Sequence, residues 1–155
     1  MTAVRLLISA PAAACLILGN VALMASPVGT LSANAAHAES RCGDFLAEMH
    51  HKPEHLRFVA CRSFPDRQGK PLRAVYRVNG RHAAVAEAAM IEAFGLEALR
   101  HVCCRWEAPP RWFKIADGRE FLIIMVSDET TVVSREDWAD IPVFEITVET
   151  LTDAI

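Results

Sequence analysis

The sequence has no excess of positive charge and few aromatic side chains. It contains 16 Lys and Arg against 19 Asp and Glu, a formal net charge of −3, and Phe, Trp and Tyr make up 7% of the residues. Proteins that bind nucleic acid concentrate basic charge to neutralise phosphates, and the composition shows no such concentration. We therefore expect no nucleic-acid partner.

Several motifs that carry catalysis are missing as well. No glycine-rich phosphate loop occurs, no Cys-x-x-Cys pair occurs, and Ser127 lacks the glycines that flank a nucleophilic serine. A length of 155 residues suits one compact domain. These absences favour a non-enzymatic protein over an enzyme, and we expect no cofactor and no metal.

Long hydrophobic runs are confined to the N-terminus. Residues 1–38 hold 25 apolar residues and a single charge, that of Arg5, and two small-residue Ala-x-Ala sites follow at 33–35 and 36–38. This layout is typical of a secretory signal peptide, with an uncleaved membrane anchor as the alternative. We expect cleavage after Ala38, a single domain over residues 39–155, a periplasmic or secreted location, and no membrane contact after cleavage.

Four cysteines remain once such a leader is removed: Cys42, Cys61, Cys103 and Cys104. An even number in an oxidising compartment favours disulfide bonds. Cys103 and Cys104 are neighbours in a predicted strand, where side chains point to opposite faces, and a ring between neighbours is strained. We therefore expect Cys42 and Cys61 to pair with Cys103 and Cys104, in an order that the sequence leaves open.

Periodicity and turn signals predict the secondary structure. Helices are expected over residues 45–50, capped by Asp44, and over residues 81–94, ended by Gly95, and Ser134 is expected to cap a short helical turn through Trp138. Strands are expected over residues 56–62, 72–78, 99–106, 112–115, 121–126 and 143–151.

This order predicts an α+β domain. We expect an antiparallel sheet of four to six strands with two main helices on one face, stabilised by disulfide bonds. Residues 121–126 are apolar on both faces, which indicates a central strand covered on two sides. In the last strand Phe144, Ile146 and Val148 are predicted to face inward, and the alternate positions are predicted to form a solvated acidic face.

Several stretches together resemble a family of small exported bacterial proteins that is catalogued as a domain of unknown function. They are Cys42-Gly-Asp-Phe-Leu46, residues 71–80, Cys103-Cys-Arg-Trp-Glu107, residues 125–130 and residues 135–141. The Cys-Cys-x-Trp-Glu motif is the most specific of them. The resemblance implies a bacterial source and export, and it carries no known catalytic residues.

Two kinds of chemistry remain candidates. A small cell-envelope enzyme could use Cys103 activated by His101, or Glu107 together with Asp128 or Glu129. The available metal donors lack the paired spacing of a zinc site, and Pro53 interrupts the cluster of three histidines, which we interpret as an exposed turn. These two donor sets are Cys61, His101, Cys103 and Cys104, and His50, His51 and His55.

Arginine and tryptophan side chains surround a proline-rich stretch: Arg105, Trp106, Arg111 and Trp112. Such residues often anchor protein interfaces, although the tryptophans could equally close a small core. The leading hypothesis is an exported, non-enzymatic binding protein with a protein partner, in its most concrete form an inhibitor or immunity-type protein. An envelope enzyme and a structural envelope protein are the alternatives.

Overall fold

The computed structural model describes residues 41–153, so the predicted signal peptide lies outside the described residues. The described residues contain seven strands: β1 (Arg57–Ser63), β2 (Leu72–Val78), β3 (Arg100–Val102), β4 (Arg105–Glu107), β5 (Arg111–Lys114), β6 (Glu120–Ser127) and β7 (Phe144–Thr150). They also contain two α-helices and a 3₁₀ helix: α1 (Phe45–Glu48), α2 (Gly80–Phe94) and Arg135–Asp140.

All strand pairs are antiparallel, and the order across the sheet is β1-β2-β7-β6-β4-β3. β5 also pairs with β6, beside the part of β6 that precedes its contact with β4. The predicted α+β class with an antiparallel sheet is confirmed. The predicted number of four to six strands is wrong, because a turn at Cys103 and Cys104 divides the expected strand over 99–106 into β3 and β4.

One face of the sheet carries the core. Alternate residues of the three central strands are buried there: Leu72, Ala74, Tyr76 and Val78 of β2, Phe121, Ile123 and Met125 of β6, and Phe144, Ile146 and Val148 of β7. The ring of Phe45 in α1 lies 5.5 Å from that of Phe121, and the ring of Phe94 in α2 lies 4.9 Å from that of Phe113, the cross-strand partner of Phe121. Within residues 41–153, α2 is a long helix and α1 is a single turn, so the expectation of two main helices on one face is not confirmed.

Local signals place α2 as predicted. The side chain of Asn79 accepts a hydrogen bond from the backbone N–H of Arg81, which caps the first turn, and Gly95 ends the helix with φ of 68°. At the start of α2, a β-carbon on Gly80 would overlap the carbonyl oxygens of Trp138 and Ile141. Glycine is therefore required where α2 meets the 3₁₀ helix.

The other face of the sheet is open in the described part of the chain. On β6 this face carries Leu122, Ile124 and Val126, which are only half-buried, whereas their neighbours on the core face are buried. Within residues 41–153 no second layer covers this face of β6, and cover by another subunit stays a prediction. Its apolar residues form part of an exposed surface, which we call the open face.

A disulfide bond joins Cys42 to Cys61, with the two Cα atoms 5.5 Å apart. The expected pairing of these cysteines with Cys103 and Cys104 is wrong. The reason lies in the sheet order, because Cys61 belongs to β1 at one end of the sheet whereas Cys103 follows β3 at the other end. The bond instead connects the residues just before α1 to β1. Within residues 41–153 no helix has the length and apolar character needed to cross a membrane.

Candidate binding surface

The four side chains predicted to form a binding surface do not lie together. Trp106 is 6% exposed, and its indole N–H donates a 2.8 Å hydrogen bond to the carbonyl oxygen of Val132. Its ring packs edge-on against Trp138, with the ring centroids 5.1 Å apart. This tryptophan therefore closes the core, the alternative that the sequence left open for it.

The other three members of that set are dispersed. Arg105 lies on β4, with its guanidinium 3.7 Å from Glu129. Arg111 pairs in register with Ile123 of the core face, whereas Trp112 pairs with Leu122 of the open face. Trp112 and Arg105 are therefore on the open face, and the side chain of Trp112 is 55% exposed.

The thiol and imidazole proposed for catalysis have different surroundings. The ring of His101 packs against Trp106, and its Nε2 is buried with no hydrogen-bond partner in the described part of the chain. Cys103 is exposed, and its Sγ lies 3.1 Å from the Sγ of Cys104. Neither cysteine follows the predicted alternation of a strand, because both lie in the turn between β3 and β4.

The remaining catalytic and metal candidates lie on the surface. Glu107 pairs in register with Val126 of the open face, and Asp128 and Glu129 are exposed just after β6. His50, His51 and His55 are exposed, as expected for a turn. Residues 41–153 contain no group of three or more His, Cys, Asp or Glu side chains placed to hold a metal ion.

A different set of side chains forms a continuous charged surface on the open face. Arg73 and Arg77 of β2 each form an ion pair with a glutamate of β7. The guanidinium of Arg73 lies 2.7 Å from Glu149, and that of Arg77 lies 3.1 Å from Glu145. The predicted solvated acidic face of β7 is therefore neutralised by two arginines of the neighbouring strand.

Two further arginines stand on the other side of β2. In the antiparallel register Arg57 of β1 lies directly opposite Arg77, and Arg62 lies directly opposite Arg73. Like charges that face each other across two strands destabilise a sheet. Within the described residues neither Arg57 nor Arg62 forms an ion pair with a carboxylate. We call these four side chains the arginine face.

An apolar groove lies within the arginine face. It has a volume of about 280 Å³, and its apolar lining consists of Val59, Ala60, Val75 and Phe64. The guanidinium of Arg73 lies 5.4 Å from the centroid of the Phe64 ring. The polar part of the lining consists of Arg62, Arg73 and Arg77 together with Glu145.

The sequence contained a signal for this surface. Arg73, Val75 and Arg77 alternate with core residues along β2, and the period of two places them on one face of the sheet. Their register with Arg57 and Arg62 could not be obtained from the sequence. A bulge between Phe58 and Ala60 shifts the pairing of β1 by one residue.

The fold and its surface thus define an antiparallel α+β domain with one covered and one open sheet face. Residues 31–106 match the model of a protein family described as a domain of unknown function, DUF4952. This match confirms the resemblance to a family of unknown function, and it ends at Trp106, so residues 125–130 and 135–141 lie beyond it. No curated protein and no solved structure matches the chain.

Proposed function

We propose that this protein is an exported, non-enzymatic binding protein, and that its arginine face holds an acidic segment of another protein. The observation that carries the proposal is the register of β1 and β2, which places Arg57 directly opposite Arg77 and Arg62 directly opposite Arg73. Within residues 41–153, two carboxylates, those of Glu145 and Glu149, form ion pairs with these four cations. Carboxylates from a partner would relieve the remaining repulsion.

The shape and polarity of the surface support a protein ligand rather than a small anion. Val59, Ala60 and Val75 provide an apolar floor between the charges, and the interface cores of proteins combine apolar area with arginine. Bulges and charges also protect an edge strand such as β1 from unwanted pairing. That protective role needs charged residues on β1, but it does not require them to face like charges on β2.

Export is supported by the disulfide bond between Cys42 and Cys61, since such bonds persist in oxidising compartments. The proposed location is therefore the periplasm or the exterior of the cell. The most concrete form of the proposal is an inhibitor or immunity-type partner of another protein. In that role the protein would act by occupying an acidic surface of its partner.

The test uses a fluorescent peptide of alternating glutamate and valine, whose anisotropy reports binding to the purified protein. We expect binding that weakens as salt is added, because the attraction is electrostatic. Arg62→Glu should weaken the affinity by about tenfold or more, an effect of about 1.4 kcal/mol. The matched control is Arg100→Glu, which reverses an exposed charge on β3 at the far end of the sheet and should change the affinity less than twofold.

Three results would overturn the proposal. The first is equal affinity of Arg62→Glu and the unmodified protein for the peptide. The second is that the acidic peptide does not bind to the protein even at low salt. The third is tighter binding of an oligonucleotide or of anionic vesicles than of the peptide, which would assign the arginine face to another class of polyanion.

A further inference from the structure

The turn between β3 and β4 brings two thiols together. Cys103 and Cys104 are both exposed, and Cys103 donates a hydrogen bond from its S–H to the Sγ of Cys104 over 3.1 Å. The two sulfur atoms therefore form a dithiol that solvent and small reagents can reach.

The backbone of the turn holds this arrangement. The N–H of Cys104 donates a 2.8 Å hydrogen bond to the carbonyl oxygen of Val102, which closes a three-residue γ-turn around Cys103. Cys103 has φ of 55°, a conformation that is uncommon for a residue other than glycine. The carbonyl oxygen of Cys104 also accepts a 2.7 Å hydrogen bond from Thr130. A positive φ at this position is what a two-residue hairpin loop requires, since Val102 pairs directly with Arg105.

We propose that Cys103 and Cys104 form a thiol–disulfide exchange site, whose substrate is a small-molecule or protein disulfide. One thiolate attacks a sulfur atom of the substrate, which forms a mixed disulfide and releases the first substrate thiolate. The neighbouring thiolate then attacks the cysteine sulfur of the mixed disulfide, which breaks that bond and releases the second substrate thiolate. The two protons lost from the cysteines end on the two released thiols, and two electrons pass from the cysteines to the substrate.

The product ring is suited to a reversible reaction. Cα atoms of neighbouring residues lie about 3.8 Å apart across a trans peptide, below the usual separation of disulfide-bonded residues. Strain of this kind makes a disulfide easier to reduce. The bond between Cys42 and Cys61 is the structural disulfide of the described residues, and it does not involve the turn. The proposal does not rest on the function proposed for the arginine face.

The test exposes the full chain to oxidised glutathione, blocks free thiols by alkylation and analyses the tryptic peptide of residues 101–105. Cleavage after Arg100 and Arg105 isolates both cysteines in this peptide. We expect the peptide to lose two hydrogen atoms, to resist alkylation and to carry no glutathione. Reduction should return it as a doubly alkylated peptide.

The matched variants are Cys103→Ser and Cys104→Ser, each of which keeps one thiol. In these variants the mixed disulfide with glutathione should persist at least about 100-fold longer than in the unmodified protein, because no neighbouring thiolate resolves it. Phenylarsine oxide, whose arsenic bonds two thiols, should protect only the unmodified protein from alkylation. A cooperative urea unfolding transition, measured for each variant, reports that it is folded.

Several outcomes would overturn the assignment. They are a mixed disulfide that is as long-lived in the unmodified protein as in the serine variants, a cross-link from residues 101–105 to any other peptide, and full alkylation of both thiols after exposure to oxidised glutathione.

Discussion

Glu87 is a carboxylate that lies within the apolar core, with 6% of its surface exposed. It accepts hydrogen bonds from the backbone N–H of Leu99 over 2.6 Å and from the guanidinium of Arg135 over 2.6 and 3.0 Å. Arg135 also stacks on the ring of Trp138, 4.6 Å from its centroid. One side chain of α2 thereby joins the segment before β3 to the 3₁₀ helix.

Replacement of Glu87 by alanine should lower the free energy of unfolding by about 3 kcal/mol, because it leaves a partly buried guanidinium and a buried N–H without their acceptor. Urea unfolding measures this loss. The control Glu92→Ala removes an exposed carboxylate from the same helix and should cost less than about 0.5 kcal/mol. Equal losses in the two variants would contradict a structural role for Glu87.

Tyr76 is the single tyrosine of the chain, and its buried hydroxyl accepts a 3.1 Å hydrogen bond from the N–H of Leu46. Burial raises the pKa of this phenol above its usual value near 10. The unfolded state therefore loses this proton at a lower pH than the folded state. The stabilisation is complete below about pH 10 and is lost as the pH rises through the folded-state value.

We expect the ultraviolet absorbance of phenolate to stay absent above pH 10 for as long as the protein remains folded. Over the same range the free energy of unfolding should fall with pH, and Tyr76→Phe should fall less steeply. Ionisation near pH 10 in the folded protein would contradict the burial of Tyr76.

At the scale of elements, the disulfide bond ties the start of α1 to β1. Its cysteines are 19 residues apart, and closure of a loop of this length stabilises a fold by about 3 kcal/mol through the unfolded state. Replacing both Cys42 and Cys61 by serine should lower the unfolding free energy by this amount in urea. The matched double replacement of Cys103 and Cys104 by serine should cost less than about 0.5 kcal/mol, and the reverse order of effects would contradict the assignment of the structural bond.

Elements with strong local signals were predictable from the sequence. The side chains of Asp44, Asn79 and Ser134 accept hydrogen bonds from backbone N–H groups of the helical turns that follow them. Alternation of buried and exposed positions located β2 and β7. The division between β3 and β4 was not predictable, because the positive φ of Cys103 belongs to a residue type that rarely adopts it. The disulfide pairing depended on the strand order, which no local pattern encodes.

At the scale of the whole molecule, net charge conceals the distribution of charge. The chain carries a formal charge of −3, yet four arginines converge on one part of the open face. The net charge of the whole chain therefore does not exclude a local cluster of basic side chains. Sequence proximity is also a poor guide to a shared surface, since the neighbours Arg105 and Trp106 lie on opposite faces of β4.

The arginine face as a binding surface for an acidic segment is the central claim, and amide NMR shifts test it most directly. The measurement is a titration of the ¹⁵N-labelled protein with the peptide of alternating glutamate and valine. The predicted result is a set of shifts confined to Arg57–Ser63 and Leu72–Val78 and their neighbours on β7, with Arg100–Val102 unchanged. Shifts centred on Arg100–Val102, or no shifts at all, would contradict the claim.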